Sequence, residues 1–227
     1  MENEIKNIDD FNDLLRRAEE GDSDAQFDVS LHYVDGLNIN NEEIIKPDAQ
    51  LAFYWIKKAY ENGDGAALVH YGNFLCAGEG CEKNVELGMK VYQEGVDSGS
   101  AMAANNLGME YRNMQNYDKA FQLYCNLDGD GPFDRVTVGM CYYYGVGVEQ
   151  NKLKALELFK QVSIDNDDAG YEVNEANYMI GKIYLEGEIV ERSFVNAREN
   201  LELANEDRDH RSANELLMII GRKWQLK

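Results

Sequence analysis

The amino-acid sequence predicts an all-α solenoid of about five antiparallel helix pairs, with one capping helix at each end. A short apolar pattern recurs along the 227 residues, and its spacing fits one face of a helix. The chain also has only two prolines, Pro47 and Pro132, and few alternating runs of the kind that form strands. Long stretches are therefore free to be helical.

The recurring pattern is an alanine, three residues, a large apolar residue, a small residue, two residues and usually an aromatic residue. Offsets of four and three place these positions on one helical face, and we call the helix that carries them helix A of a repeat. A final fragment has Ala213 and Leu217. The copies before it are Ala25, Val29, Ser30 and Tyr33; Ala67, Tyr71, Gly72 and Leu75; Ala103, Leu107, Gly108 and Tyr111; Val138, Gly139 and Tyr142; and Ala176, Ile180, Gly181 and Tyr184.

Four of these copies have glycine at the small position. Glycine inside a helix costs about 1 kcal/mol relative to alanine, so we expect close helix packing to compensate. A second helix in each repeat, helix B, supplies a matching small residue. The separation between the two small residues varies with the loop, and is longest where residues 38–46 are inserted. The small residues of helix B are Ala52, Gly88, Ala120, Ala155 and Ala197.

Glycines also mark where helix B ends. Gly21, Gly63 and Gly99 each stand four residues before the alanine of the next helix A, and glycine just past a helix end is a common cap. Residues 11–20 are therefore predicted to be a helix B that begins the array, which gives about twelve helices. We expect one domain over residues 1–227, with an N-terminal helix at 10–21, repeats at about 22–63, 64–99, 100–131, 132–170 and 171–208, and a C-terminal helix at 209–227.

The A-x-x-x-L-G-x-x-Y pattern, the G-x-G-V loop and the A-x-x-W-x-x-K-A run from Ala52 to Ala59 resemble the Sel-one-like repeat family, which is related to the tetratricopeptide repeats. The resemblance covers residues 11–224 and implies a right-handed superhelical solenoid. Its motifs are specific for fold and say little about function. The fourth copy departs from the pattern, with Asp134 in place of alanine after a linker at 128–132. Whether that repeat stacks regularly stays open.

The charge balance restricts the partners. There are 42 Asp and Glu against 22 Lys and Arg, a formal net charge of -20, which repels nucleic acid and anionic membranes. The charge either attracts a basic partner or keeps the protein soluble.

The sequence also bears on the location of the protein. The acidic N-terminus does not resemble a secretory signal, no apolar run is long enough to span a bilayer, and the four sparse cysteines are typical of reduced thiols. A cytoplasmic location is expected.

The sequence shows no catalytic or metal-binding pattern, and no cofactor is expected. His32, His70 and His210 have neither zinc-ligand nor metalloprotease spacing. Asp165, Asp167, Asp168 and Gly170 resemble the start of a calcium loop, but the twelfth position is Ala176 instead of glutamate. Ser98 is out of register with a nucleophile elbow.

The resemblance implies that the A helices line a concave side and that variable positions around the small residue face it. The register predicts Tyr142 in the core and leaves Tyr143 and Tyr144 to face a partner. Such residues either contact a partner or pack against the neighbouring repeat. The candidate residues are Phe27, Asp28, Leu31, His70, Asn73, Asn105, Met109, Arg112, Met140, Tyr143, Tyr144, Tyr178 and Lys182.

Three functions remain to be distinguished. The first is a non-enzymatic scaffold for protein–protein interaction, in its sharpest form a bacterial immunity protein that binds and neutralises a basic toxin. The second is an adaptor that assembles a signalling or envelope-regulating complex. The third, from another class, is a hydrolase with an unrecognised site among the loops.

Overall fold

The computed structural model describes residues 5–40, 42–125, 132–165 and 170–224. The chain forms two compact units, Met1–Leu107 and Gly108–Lys227. In the described ranges it contains two short strands, β1 (Leu37–Ile39) and β2 (Glu42–Ile45), and twelve helices. The helices are α1 (Ile8–Glu19), α2 (Ser23–Asp35), α3 (Ala49–Glu61), α4 (Gly65–Ala77), α5 (Val85–Asp97), α6 (Ala101–Asn113), α7 (Tyr117–Cys125), α8 (Pro132–Tyr144), α9 (Lys152–Asp165), α10 (Tyr171–Glu186), α11 (Phe194–Ala204) and α12 (Arg211–Trp224).

Short polar side chains begin most of these helices. The carboxylate of Asp22 accepts a hydrogen bond from the backbone N–H of Ala25, and Asp64 accepts one from Ala67. Such caps satisfy backbone donors that have no partner inside the helix. Gly21 and Gly63, directly before these two caps, have positive φ, so the two-residue sequence Gly-Asp both ends one helix and starts the next.

The helices pack as consecutive pairs. In the first unit α2 packs on α3 and α4 on α5, and in the second unit α8 packs on α9 and α10 on α11. The small residues lie at these contacts, as their spacing predicts. A Cβ added to Gly139 would lie 2.6 Å from the ring of Phe159, and one added to Gly181 would lie 2.8 Å from Leu201. Close approach of helix A to helix B is therefore the reason for glycine at this position.

The loop glycines serve a different contact. Gly80 and Gly147 both have positive φ, and a Cβ on either would overlap backbone atoms at the start of the preceding helix B, Ala49 for Gly80 and Tyr117 for Gly147. The loop after helix A in one repeat thus rests on the first turn of helix B in the repeat before. Only glycine permits so close an approach.

The insertion at residues 38–46 forms structure that the sequence does not predict. Strands β1 and β2 pair antiparallel, with Leu37 opposite Ile45 and Ile39 opposite Glu42. The pattern of this stretch is too short and too polar to indicate strands by itself. The hairpin is small beside twelve helices, so the predicted fold class, all-α helix pairs flanked by α1 and α12, is confirmed.

The core follows the repeat register in each unit. In the second unit Phe159, Val162, Met179 and Ile183 are among the fully buried side chains of the largest cluster. The linker at residues 128–131 and the side chain of Asp134, which raise the question of whether the fourth repeat stacks regularly, lie outside the described part of the chain. Most of the acidic stretch at residues 165–170, which resembles only the start of a calcium loop, also lies outside the described part.

Candidate protein-binding surface

In the first unit, side chains predicted to face a partner come together across neighbouring A helices. The rings of Phe27 on α2 and His70 on α4 meet edge to face, with centroids 5.2 Å apart. Asn73, one turn further along α4, accepts hydrogen bonds from the Tyr92 hydroxyl at 2.6 Å and from Asn106 at 2.9 Å. The remaining candidates here are the exposed Asp28 and the half-buried Leu31 and Asn105.

The histidines are packed against aromatic rings. His32 lies against Phe11, His70 against Phe27 and His210 against Tyr178. Burial lowers the pKa of His70 below its ordinary value, and Asp64 opposes this only in part. The imidazole of His70 is therefore neutral near pH 7, which leaves the face in this unit with an aromatic and amide character.

In the second unit the prediction for the tyrosines of α8 is wrong in one respect. Tyr143 is buried, with 3% of its surface exposed, whereas Tyr142 is only half-buried. Tyr142 and Tyr143, three and four residues after Gly139, lie on neighbouring sides of α8. Tyr143 is the one that packs against α9 and α10. Tyr144, by contrast, is 53% exposed and remains accessible to a partner.

Tyr143 is held by ionic groups from two helices. Its hydroxyl donates a hydrogen bond to Glu186 of α10, and the ammonium groups of Lys152 and Lys182 lie 4.9 and 5.1 Å from the centre of its ring. Burial, together with the hydrogen bond to Glu186, raises the pKa of Tyr143 above its ordinary value. Lys182 also contacts the Tyr144 hydroxyl at 3.1 Å. Two candidate residues, Tyr143 and Lys182, thus join helix pairs within the unit.

A groove of about 200 Å³ opens beside this cluster, between the end of α6, α7 and α8. Three candidate residues, Arg112, Met140 and Tyr144, line it. Arg112 is exposed, and among the described residues that line the groove it alone carries a charge. Tyr178 does not line the groove; it is half-buried against two hydrophobic clusters of the second unit. Met109 is exposed on α6, one turn before Arg112.

Helix B and the loop contribute groove residues that the register of helix A does not predict. Tyr117 and Phe121 come from α7, and Val146 comes from the loop after α8. A signal was present in the sequence, because Val146 stands where the second and fifth repeats have Glu79 and Glu188. An apolar residue at a loop position that is charged in other repeats points to an exposed apolar surface.

Other candidates for chemistry do not assemble into a site in the described part of the chain. Burial raises the pKa of Cys141 to about 11, so its thiol is protonated at neutral pH even though Arg112 partly offsets the shift. The Ser98 hydroxyl donates to the carbonyl of Glu94 at 2.9 Å. Among the described residues, no three or more His, Cys, Asp or Glu are grouped to hold a metal ion.

Comparison with known proteins agrees with this architecture. The Sel1 repeat family model matches residues 23–64, 65–100, 101–126, 138–161 and 174–209, which together make up more than half of the chain. The chain therefore belongs to the Sel1 repeat family. Proteins of this family generally mediate protein–protein interactions. In the described residues, no helix is long and apolar enough to cross a membrane.

Two solved structures share the fold. The Sel1 repeat protein from Oxalobacter formigenes is 18% identical, with a TM-score of 0.67 over 91% of this chain and 86% of that one. A protective antigen present in uropathogenic Escherichia coli strains, which displays the same repeat fold, is 19% identical, with a TM-score of 0.61 over 88% of this chain. This chain spans 48% of that antigen. At these identities the likeness establishes the solenoid fold alone.

Proposed function

We propose that the chain is a non-catalytic scaffold that binds another protein through the variable side chains of its A helices. The observation that carries the proposal is the groove of the second unit, where Arg112, Met140 and Tyr144 meet on one accessible surface. Aromatic, methionine and arginine side chains are the types enriched in the centres of protein interfaces. The face of the first unit, with Phe27 against His70, adds a second aromatic surface.

The charge of the chain favours a basic partner. Residues 1–100 contain 21 of the 42 Asp and Glu but only 8 of the 22 Lys and Arg. A surface of this sign accelerates encounter with a cationic protein and weakens as salt is added. In its sharpest form, the proposal is a cytoplasmic bacterial immunity protein that neutralises a basic toxin.

The first experiment is to purify the tagged chain from its native cell and identify the bound protein by mass spectrometry. An immunity protein should bring down one basic protein in stoichiometric amount. Several substoichiometric proteins without an excess of Lys and Arg would instead favour an adaptor. If affinity for the captured protein is the same at about 0.05 M and about 1 M salt, the electrostatic part of the proposal is wrong.

The surface is tested with a matched pair of methionine variants. Met109 lies on the predicted face and is 36% exposed, whereas Met114 lies just beyond the end of α6 and is 63% exposed. We expect Met109→Lys to weaken binding of the captured protein by about tenfold or more, as for a residue inside an interface. Met114→Lys should change it less than about twofold. Equal effects of the two variants in calorimetric titrations would place the interface elsewhere.

A further inference from the structure

The junction between the fourth and fifth repeats is closed by charged side chains of the chain itself. Lys152, three residues before the small residue of α9, contacts Glu186 at 3.3 Å and Glu188 at 2.6 Å. Glu186 is five residues after Gly181, the small residue of α10, and Glu188 is seven after it. Lys152 is only 16% exposed, so the three ionic groups fill this position of the junction.

The same three positions are uncharged one repeat earlier. Tyr117 stands three residues before Ala120, and Tyr144 and Val146 stand five and seven residues after Gly139. Their exposed fractions are 42%, 53% and 36%. All three line the groove between α6, α7 and α8. The later junction therefore has an ion-paired cluster where the earlier junction has an open, uncharged surface of two tyrosines and a valine.

At two further positions the two junctions also differ in which residue is charged. Tyr143, four residues after Gly139, corresponds to Arg112, four residues after Gly108. Lys182, one residue after Gly181, corresponds to Met140, one residue after Gly139. The earlier junction therefore keeps a cation, Arg112, but among its described lining residues it has no counterpart of the carboxylates Glu186 and Glu188.

We propose that the groove binds a segment of the partner protein in which a large apolar side chain adjoins an Asp or Glu. The apolar side chain would lie between Tyr117, Tyr144 and Val146, and its neighbouring carboxylate would pair with Arg112. The partner thereby supplies the negative charge that the next junction obtains from its own chain. This inference rests on the proposed scaffold function and identifies what its groove recognises.

The size of the groove and the local charge agree with such an occupant. A volume of about 200 Å³ is below that of ordinary small-molecule sites and suits a single side chain. Residues 101–164 contain seven Asp and Glu against six Lys and Arg, so this stretch is nearly neutral. A carboxylate is not repelled here as it would be along residues 1–100, and a guanidinium group binds it with directed hydrogen bonds.

Methionine-methyl NMR of the full chain tests the proposal. The probes are three synthetic peptides, acetyl-Gly-Ser-Phe-Glu-Ser-Gly-amide and its versions with Gln or Lys in place of Glu. The Glu peptide should shift the Met140 methyl signal with a dissociation constant of about 0.1–1 mM, as expected for one anchored side chain. The buried Met179 and the exposed Met218 on α12 are internal controls, and their signals should stay in place.

The peptide series identifies the occupant. The Gln peptide should bind about fivefold or more weakly than the Glu peptide, and the Lys peptide more weakly still, because Arg112 selects for negative charge. Equal binding of the Glu and Gln peptides would overturn the proposal, as would stronger binding of the Lys peptide. A Met140 shift that depends on protein concentration without peptide would also overturn it, by showing that a second copy of the chain occupies the groove.

Two variants assign the effect to the residues named. Arg112→Gln should remove the preference for Glu over Gln, whereas Arg211→Gln, at a site that is 91% exposed on α12, should leave it intact. A triple variant, Tyr117→Lys with Tyr144→Glu and Val146→Glu, installs the charged cluster of the next junction and should abolish binding while the chain remains folded by circular dichroism. If the peptides leave Met140 unchanged but Met109→Lys still weakens the captured partner, the groove proposal fails and the scaffold function stands.

Discussion

The two junctions of the second unit share a framework but differ at their edges. In the repeat that follows each junction, a side chain of helix B packs on the glycine of helix A, Phe159 on Gly139 in the fourth repeat and Leu201 on Gly181 in the fifth. At the edge, the later junction has Lys152 bonded to Glu186 and Glu188, whereas the earlier one has Tyr117, Tyr144 and Val146 around a groove. The framework contacts explain why repeats of different surface chemistry can adopt one fold. The edge positions lie outside these framework contacts, so their chemistry can differ from one junction to the next.

The largest effect is expected where the loop of the earlier junction rests on the backbone. Gly147→Ala places a Cβ against the carbonyl of Tyr117 at a φ of 68°. The left-handed backbone and the steric overlap together should lower the free energy of unfolding by roughly 2–4 kcal/mol. The later junction has Ile189 at this position, half-buried against the core, so its loop does not require glycine.

Gly63→Ala is the matched control for this prediction. Gly63 also has positive φ, but a Cβ there meets nothing within 4 Å. Its substitution should therefore cost only the conformational part, about 1 kcal/mol. Urea unfolding followed by circular dichroism gives both values. If the two variants lose the same stability, the close approach of the loop to α7 does not constrain the protein.

The second prediction breaks the charged edge of the later junction. Lys152→Met keeps much of the side-chain volume but leaves Glu186, 27% exposed, and Glu188, 60% exposed, without the ammonium group. Because both carboxylates reach solvent, the free energy of unfolding should fall by only about 1–2 kcal/mol, less than for a buried ion pair. Lys160→Met on the exposed side of α9 is the control, and an equal loss there would show that the cluster contributes nothing specific.

The fold was predictable because its signal is geometric and repeated. Gly139 and Gly181 are costly in a helix unless another backbone or ring comes close, and their recurrence at one register therefore predicts the helix pair. The hairpin of β1 and β2 was not predictable in the same way. It occurs once, and the register from Leu37 to Ile45 involves too few residues to form a pattern.

The candidate binding surface was predictable only in part. The register of helix A identified Arg112, Met140 and Tyr144, which the structure brings to one groove. It did not identify Tyr117, because that residue belongs to helix B of the third repeat, and it placed Tyr143 on the exposed face although Tyr143 is buried. The direction of a side chain at a helix end depends on which neighbouring helices surround it, and spacing along one helix does not contain that information.

The third prediction concerns pH. Burial and the bond to Glu186 raise the pKa of Tyr143, and hydrogen bonding to Glu188 and Glu186 raises that of Lys152. A group whose pKa is raised by folding binds its proton more tightly in the folded state. Its contribution is therefore complete below about pH 10, the ordinary pKa range of Tyr and Lys, and is lost as pH rises further.

Tyr143→Phe removes one of these protons. The variant should lose stability less steeply than the parent above about pH 10, by up to about 1.4 kcal/mol for each pH unit. Tyr171→Phe, at a position that is 72% exposed, should follow the parent. Urea unfolding measured from neutral to alkaline pH tests this, and a parallel fall for Tyr143→Phe and the parent would show that the Tyr143 hydroxyl does not stabilise the junction.

The smallest effect is expected at Lys182, the position that is Met140 in the earlier junction. Lys182→Met removes the charge near the rings of Tyr143 and Tyr144, which lie 5.1 and 5.2 Å from its nitrogen, and the contact with the Tyr144 hydroxyl. Since methionine still covers the rings, the loss should be only about 0.5–1 kcal/mol, the usual range for a cation over an aromatic face near solvent. Lys182→Met should also be made in the Tyr143→Phe variant. Because Lys182 should stabilise the phenylalanine ring nearly as well as the tyrosine ring, a similar loss in both backgrounds assigns the effect to the ring and not to the Tyr143 hydroxyl. A loss above about 2 kcal/mol would instead mean that Lys182 belongs to the ionic cluster of Lys152, Glu186 and Glu188, and that the later junction depends on its charges as a single network.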